Sequence, residues 1–228
     1  MGLIDNLEKY AEHQNLSNDK RMMFDSFMKK GFPTTRDEEW KYTSLKKVIK
    51  SDYNLNLENS EIDNSIINNH SLGIEDKIVF VDGNLVSSPE VKGVHVSGFS
   101  DFDCRNNDVI SELNSALAKS GFTIVVEKDT VVENPIEILF FNFTKNSFSQ
   151  YRNRITVGEN SELKIIENIQ DLSKSSTLIN HFTHISCDKN TKVEYNKIQN
   201  NSQDSSLIDC MNIFQNQDSV CEVNTLIF

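Results

Sequence analysis

The sequence predicts a mainly β protein, namely a right-handed parallel β-helix (β-solenoid) preceded by a small helical N-terminal domain. Three observations predict this fold. Turn pairs recur after residue 121 at intervals of 31, 30 and 28 residues, at Asp129-Thr130, Asn160-Ser161, Asn190-Thr191 and Asp218-Ser219. Beside these turns apolar residues occupy every second position, which is the period of a strand. Before the repeat, apolar residues recur instead at helical spacing.

The repeat units share one phase of apolar residues. They begin at Ile124, Ile155, Ile185 and Ile213. Offsets 0, +2, +8 and +10 from these starts hold apolar residues in all positions except Asn134 and Gln215, far above the 37% average. Two strands around a turn cannot bury their apolar face alone, so each unit must stack on its neighbours. We therefore predict β-helix rungs over residues 122–228, with the last three of these isoleucines above one another.

Residues 1–50 are predicted to form the helical N-terminal domain. The apolar residues at helical spacing are Ile4, Leu7 and Ala11 in a first helix and Met23, Phe24, Phe27 and Met28 in a second. A polar break at residues 15–19 divides the two helices, and Gly31 ends the second. Beyond it, Thr35 and Glu38 form a capping-box pattern, which predicts a further short helix that carries Trp40.

Residues 51–121 are predicted to connect this domain to the β-helix. Residues 51–71 are polar and rich in asparagine, so we interpret them as a mobile linker or loop. A small hairpin follows, because residues 77–81 have strand character and Asp82-Gly83-Asn84 is a tight-turn sequence. Apolar residues at helical spacing predict one more helix over Val109 to Lys119.

Composition excludes several classes of function. The formal net charge is −11, and no basic run is longer than Lys46-Lys47, so nucleic acid is not expected as a partner. The start of the chain lacks the pattern of a secretory signal, and no segment approaches about 18 consecutive apolar residues. We therefore expect a cytoplasmic protein with no membrane partner.

The sequence offers no catalytic, cofactor-binding or metal-ligating residue. Cys187, Cys210 and Cys221 fall in strand positions typical of small buried hydrophobes, and Cys104 stands among acidic residues that disfavour a thiolate. His181 and His184 are three residues apart in a strand-like run, which directs them to opposite faces. No glycine-rich phosphate loop is present, so we predict a protein that is not an enzyme and binds no cofactor itself.

One motif resembles a known family. A signature near the start of SufD-family proteins is similar to Phe32-Pro33-Thr34-Thr35-Arg36-Asp37-Glu38-Glu39-Trp40-Lys41-Tyr42-Thr43-Ser44-Leu45. Residues 113–117 with Gly121, followed by residues 134–138, resemble the family's entry into its β-helix. The motif has no assigned chemistry, so we interpret it as a capped helix start whose aromatic pair, Trp40 and Tyr42, anchors the N-terminal domain.

The resemblance implies a non-catalytic scaffold subunit of the SUF iron-sulfur cluster assembly system. Such a subunit acts in a SufBCD complex with a SufB-like paralogue and a SufC-like ATPase, and the complex handles the cluster. The chain corresponds to the first half or so of a typical member, so we expect the β-helix to be truncated at the C-terminus. The family's cluster-site residues are expected beyond residue 228, and none is carried over.

Two other classes remain open at this point. Parallel β-helices also occur in carbohydrate-active enzymes, which need clustered Asp, Arg or Lys in one groove, and in secreted structural solenoids. Both would require an export signal, which the first residues of this chain do not show.

Overall fold

The structure is a computed structural model that describes residues 2–57, 60–102, 108–200 and 202–228. The helices are α1 (Leu3–Glu12), α2 (Asn18–Lys30), α3 (Asn64–His70) and α4 (Val109–Leu117), with 3₁₀ turns at Glu38–Trp40 and Val48–Lys50. The strands are β1 (Lys77–Val81), β2 (Asn84–Ser87), β3 (Val94–Gly98), β4 (Phe122–Val126), β5 (Ile136–Asn142), β6 (Phe148–Val157), β7 (Glu162–Asp171), β8 (Thr177–Cys187), β9 (Lys192–Asn200), β10 (Ser205–Gln215) and β11 (Val220–Ile227). Across the described ranges, every helix falls short of the length and apolar character that crossing a bilayer requires.

The strands form a β-solenoid of two facing sheets. One sheet has the order β11-β9-β7-β5-β1-β2, and the other has the order β10-β8-β6-β4-β3. Successive turns of the chain therefore pair in parallel, and only β2 and β3 add antiparallel strands at the N-terminal edges. The predicted stack is confirmed, because Ile155 pairs with Ile185 and Ile185 with Ile213. Ile124 pairs with Ile155 and extends this column of isoleucines toward the N-terminus. The inward side chains of both sheets form one apolar core.

Two polar residues, Asn134 and Gln215, interrupt the apolar pattern, and both have local explanations. Asn134 lies exposed in a bend before Pro135, and Ile136 takes its place by pairing with Ile165 of the next turn. A two-residue displacement therefore restores the apolar column. Gln215 ends β10 in register with Cys187 and is exposed, so an apolar side chain is not required at this position.

The repeat turns, which join a strand of one sheet to a strand of the other, share one backbone conformation. Asp129, Asn160, Asn190 and Asp218 all have a positive φ between 55° and 59°. Asn and Asp tolerate this left-handed region better than other residues that carry a Cβ. Their side chains also bridge successive turns, since Asn160 Nδ2 donates to Asp129 Oδ1 at 2.7 Å and Asn190 Nδ2 to Asn160 Oδ1 at 3.0 Å.

The N-terminal helices pack onto the outer face of the β10-β8-β6-β4-β3 sheet. The buried faces of α1 and α2 share a core with α4, whose amphipathic pattern matches its prediction. Phe148 and Leu178 complete this core from the solenoid. Side chains cap two of these helices, because Ser17 accepts from Lys20 N and Asp108 accepts from Ser111 N.

Several local predictions differ from the structure. The capping box is wrong, because Asp37 accepts from Thr34 and only the 3₁₀ turn Glu38–Trp40 follows. Trp40 packs partly buried against the N-terminal core, whereas Tyr42 is 93% exposed and anchors nothing. Too few apolar residues follow in helical register to extend the turn into a helix.

The region before residue 122 is more ordered than its composition predicts. The stretch interpreted as a linker or loop contains α3, where Ile66 and Ile67 pack on the outer face of the other sheet. The predicted hairpin is confirmed as β1 and β2. Since β1 also pairs in parallel with β5, stacking begins before the predicted start of the β-helix. Tertiary burial of two isoleucines outweighs the polar composition of the segment.

Candidate functional site

The solenoid interior changes from apolar to charged along its axis. In one sheet an inward column runs through Ile138, Glu167 and Lys197. In the facing sheet the corresponding column runs through Tyr151, His181 and Asp209. We call Glu167, His181, Lys197 and Asp209 the interior charged cluster. Four titratable side chains in a solenoid core are unusual, because each charge loses its hydration.

The cluster is held together by direct polar contacts. Lys197 Nζ lies 3.5 Å from Glu167 Oε1 and also contacts Asp209 Oδ2. His181 Nδ1 lies 3.3 Å from Asp209 Oδ1, and its Nε2 lies 3.6 Å from Glu167 Oε2. The ammonium therefore bridges two carboxylates, one from each sheet, and the imidazole lies between the same two groups.

Neutral groups complete the cluster and fix its protons. Tyr195 donates its hydroxyl to Glu167 Oε2 at 2.6 Å. Asn153 Nδ2 lies 2.9 Å from His181 Nε2, and since the amide can only donate, Nε2 accepts. With Nε2 accepting, the ring donates from Nδ1 to Asp209 Oδ1. Glu167 Oε1 receives no hydrogen bond from the described residues and depends on the nearby ammonium.

The electrostatics keep Lys197 and Asp209 ionised. Burial raises the pKa of Asp209, but the hydrogen bond from His181 and the charge of Lys197 outweigh it and lower this pKa to about 2. Burial lowers the pKa of Lys197, yet the charges of Glu167 and Asp209 outweigh it and raise this pKa. The pKa of Tyr195 lies well above its usual value because burial and Glu167 disfavour the phenolate. At neutral pH Lys197 and Asp209 thus form a charged pair, with the Tyr195 phenol as a hydrogen-bond donor beside it.

Asp209 connects the cluster to the outside. Its side chain is 23% exposed, while those of the other three members are almost completely buried. Asp209 also lines a cleft of about 750 Å³ between β10 and the segment that contains Trp40 and Leu45. Part of the recognised N-terminal motif therefore lines the same cleft as Asp209, which the sequence pattern did not indicate.

The arrangement can hold and neutralise charge within the solenoid. Its charged groups bind one another across the two sheets and do not converge on an open cavity. Among the described residues, no group of three or more His, Cys, Asp and Glu side chains has a geometry that could hold a metal ion. The cluster thus ties together four strands, β7 to β10, and specifies which side chains face one another.

The sequence-predicted candidates lie in different places. His181 points into the core, whereas His184 lies on the outer face beside Phe214, which confirms that their side chains diverge. Cys187 is buried as predicted, and Cys210 pairs with Phe182 in the expected register. Cys210 and Cys221 are only half-buried. Cys104 lies outside the described residues.

The sequence did contain a signal for the interior charged cluster. Glu167 and Lys197 lie 30 residues apart, and each stands twelve residues after the start of its repeat unit. His181 and Asp209 each stand four residues before such a start. If the alternation of inward residues is extended to these offsets, it assigns polar residues to core positions. Buried polar residues typically mark a functional or strained site.

Comparison with known protein families places both parts of the chain. A family model described as "SUF system FeS cluster assembly, SufBD core domain" matches residues 140–228, and one described as "SufBD protein N-terminal region" matches residues 5–76. Together they match more than two thirds of the chain. The first covers most of the solenoid, including the interior charged cluster, and the second covers the N-terminal helices and α3. No curated protein matches the chain significantly.

Proposed function

The chain belongs to the SufB/SufD family of the SUF iron-sulfur cluster assembly system, and we propose that it is a SufD-type scaffold subunit. In this proposal it acts in the cytoplasm, is not itself catalytic, and joins a SufB-like paralogue and a SufC-like ATPase. The iron-sulfur cluster is the cargo of the complex, and this chain alone does not hold it. The observation that carries the proposal is the pair of family matches, one on the helices and one on the solenoid.

The chemistry of the described residues supports a scaffold role. The charged groups inside the solenoid bind one another, with Lys197 in contact with both Glu167 and Asp209. A polysaccharide enzyme would instead present carboxylates in an open groove, where they can reach a substrate. ATP hydrolysis needs a phosphate-binding loop, and the sequence contains none. The ATPase of the system is therefore assigned to another subunit.

The SufD-type assignment is based on the N-terminal motif, since the family models describe SufB and SufD together. The residues that match the motif of the SufD family are Phe32, Pro33, Arg36, Asp37, Glu38, Trp40 and Tyr42. Of these, Phe32 and Trp40 pack against the N-terminal core. The motif therefore has a structural role in this chain.

Anaerobic co-expression tests the proposal. The tagged chain is expressed with a SufB-like protein and a SufC-like ATPase and purified without oxygen, and bound iron and sulfide are then measured. We expect a ternary complex that carries iron and sulfide, and a chain that alone neither hydrolyses ATP nor retains iron in stoichiometric amounts.

Two controls make the result specific. Omitting the SufB-like protein should abolish the iron and sulfide, because the cluster is assembled with that paralogue. If the chain instead replaces the SufB-like protein in a functional complex, it is SufB-type and the SufD-type assignment is wrong. Capture of neither partner, or ATP hydrolysis by the chain alone, would overturn the scaffold proposal.

A further inference from the structure

A small pocket lies between the N-terminal helices and the solenoid, and we call it the N-terminal pocket. It has a volume of about 260 Å³ and is bounded by α1, α4, the start of β6 and the segments at residues 55–57, 82–84 and 119–120. Its apolar wall consists of Tyr10, Leu55, Leu57, Leu117 and Phe148. Concave sites with apolar walls and a few polar groups typically bind small molecules. The polar groups of the pocket therefore indicate which kind of molecule fits.

Gln150 presents a hydrogen-bond donor to this pocket. Its side chain lines the pocket although the residue is only 9% exposed. Its Oε1 accepts from Asn180 Nδ2 at 3.1 Å, and Asn180 lies in register with it on the next strand, β8. The amide nitrogen Nε2 is therefore directed away from β8, and it donates to no group of the described residues. A nearly buried donor without a partner favours an occupant that accepts a hydrogen bond.

Lys119 adds a positive charge beside Gln150. Ser120 forms a parallel bridge with Tyr151, so the residues that precede them, Lys119 and Gln150, are neighbours. Lys119 Nζ donates to Gln14 Oε1, an uncharged acceptor, and forms no ion pair with a carboxylate of the described residues. Ser120 also lines the pocket and carries a hydroxyl that can donate. One end of the pocket thus combines an ammonium that no carboxylate neutralises with two neutral donors.

Asp82 is the one acidic residue that lines the pocket, and the backbone holds its carboxylate. Its Oδ1 accepts from Phe143 N at 2.8 Å and from Thr144 N at 3.0 Å. Neither of these residues lines the pocket, so the carboxyl group is directed toward their loop. Its second oxygen, Oδ2, is buried. The negative charge of Asp82 therefore lies away from the donors at Lys119 and Gln150, and two backbone N–H groups partly offset it.

We propose that the N-terminal pocket binds a small organic monocarboxylate. The carboxylate accepts from Lys119 Nζ and Gln150 Nε2, and the apolar part of the molecule lies against the leucines and Phe148. A single ammonium matches one negative charge, whereas a phosphate monoester would bring a second charge that no described cation of the pocket offsets. This inference goes beyond the proposed scaffold function and does not depend on it.

Titration of the unmodified chain with hexanoate, followed by ¹H–¹⁵N NMR, tests the proposal. We expect saturable shifts of the Gln150 side-chain amide and the Ser120 backbone amide, with a Kd of about 1 mM, an ordinary value for a ligand of this size. Hexanamide has the same chain without the charge and should bind about tenfold more weakly. Acetate lacks the apolar chain and should also bind at least about tenfold more weakly. Hexylamine carries the opposite charge and should not shift these two amides.

Matched variants test the two donors. Lys119→Gln removes the charge, so it should weaken hexanoate binding about tenfold and leave hexanamide binding unchanged. Lys164→Gln, at an exposed position of β7, should change neither. Gln150→Glu keeps the acceptor for Asn180 and replaces the amide donor by a carboxylate, so hexanoate binding should be lost.

Three results would overturn the proposal. They are the absence of saturable shifts of the Gln150 and Ser120 amides up to about 10 mM hexanoate, equal affinity for hexanamide or hexylamine, and equal hexanoate affinity in Lys119→Gln and Lys164→Gln. Since the titration of the unmodified chain locates the site by itself, a variant that fails to fold does not affect this outcome.

Discussion

Replacing Lys197 by methionine should lower the free energy of unfolding, because it removes the one ammonium of the interior charged cluster. The side chain of Lys197 is 2% exposed, and its ammonium contacts both Glu167 and Asp209. Methionine preserves the length and apolar stem of lysine, so the main change is the loss of one buried positive charge. Asp209 then keeps its contact with His181, and Glu167 keeps the hydrogen bond from the Tyr195 hydroxyl.

The expected loss of stability is large. Removing one partner of a buried ion pair costs about 3–5 kcal/mol, because the remaining charge stays desolvated without compensation. For a chain of this length, about 2–4 °C of melting temperature corresponds to each kcal/mol, so we expect a decrease of roughly 6–20 °C. Urea unfolding at neutral pH, followed by circular dichroism, measures the free energy of unfolding directly.

A control variant and a pH series distinguish the effect of losing the positive charge from the effect of changed packing. Lys164 is exposed on β7 of the same sheet, so Lys164→Met should change stability by less than about 0.5 kcal/mol. In Lys197→Met the uncompensated carboxylates acquire raised pKa values in the folded state, so protonation favours folding. The deficit relative to the native chain should therefore shrink as the pH falls below about 5.

A double variant tests the coupling. In Lys197→Met/Glu167→Gln one carboxylate charge is also removed, so the combined loss should be smaller than the sum of the single losses. The reasoning would be refuted if Lys197→Met cost no more than Lys164→Met. A deficit that is independent of pH, with additive single effects, would show that lysine acts only by filling space.

Three further predictions concern other positions. The pKa of Asp209 is about 2 in the folded chain and about 4 in the unfolded chain. The ionised Asp209 side chain therefore contributes about 2–3 kcal/mol to the free energy of unfolding above pH 4, and this contribution is lost as the pH falls from about 4 to 2. The stability difference between the native chain and Asp209→Asn, measured by urea unfolding, should shrink over this range, and a constant difference would contradict the prediction. Asn160 has a φ of 59°, which a β-branched residue adopts only with strain. Asn160→Val should therefore lower the free energy of unfolding by about 1–3 kcal/mol in thermal melts, and Asn160→Gly should lower it clearly less. Equal losses for the two variants would argue against backbone strain. A Cβ at Gly121 would clash with the carbonyl oxygen of Arg152, so Gly121→Ala should cost more than about 2 kcal/mol. A Cβ at Gly98 would meet only Leu85 Cδ2 at 3.9 Å, so Gly98→Ala should cost less, and comparable melting temperatures for the two variants would exclude the clash.

The repeat could be predicted because its signals are local. The repeat turns at Asp129, Asn160, Asn190 and Asp218 carry Asn or Asp where the backbone needs a positive φ, and the strands beside them alternate with period two. Ile155, Ile185 and Ile213 therefore had to share a column once the intervals were known. The displacement at Asn134 was not predictable, because only the pairing of Ile136 with Ile165 shows that two residues were inserted.

Other parts of the fold depend on distant contacts. The polar stretch before β1 forms α3 because Ile66 and Ile67 find a partner surface on a sheet that is built largely from later sequence. Tyr42 belongs to the recognised motif and was expected to anchor the N-terminal domain, yet no core surface lies within its reach. A motif indicates a family and does not by itself show which side chains are buried.

The sequence by itself determined the family, the solenoid repeat and the absence of a phosphate loop, because these properties are written in residue order and spacing. Only the tertiary structure decided which polar residues become neighbours. Glu167, His181, Lys197 and Asp209 come from four different strands. Their contacts exist because parallel stacking brings residues about one repeat apart into adjacent positions, where burial strengthens every charge and every hydrogen bond.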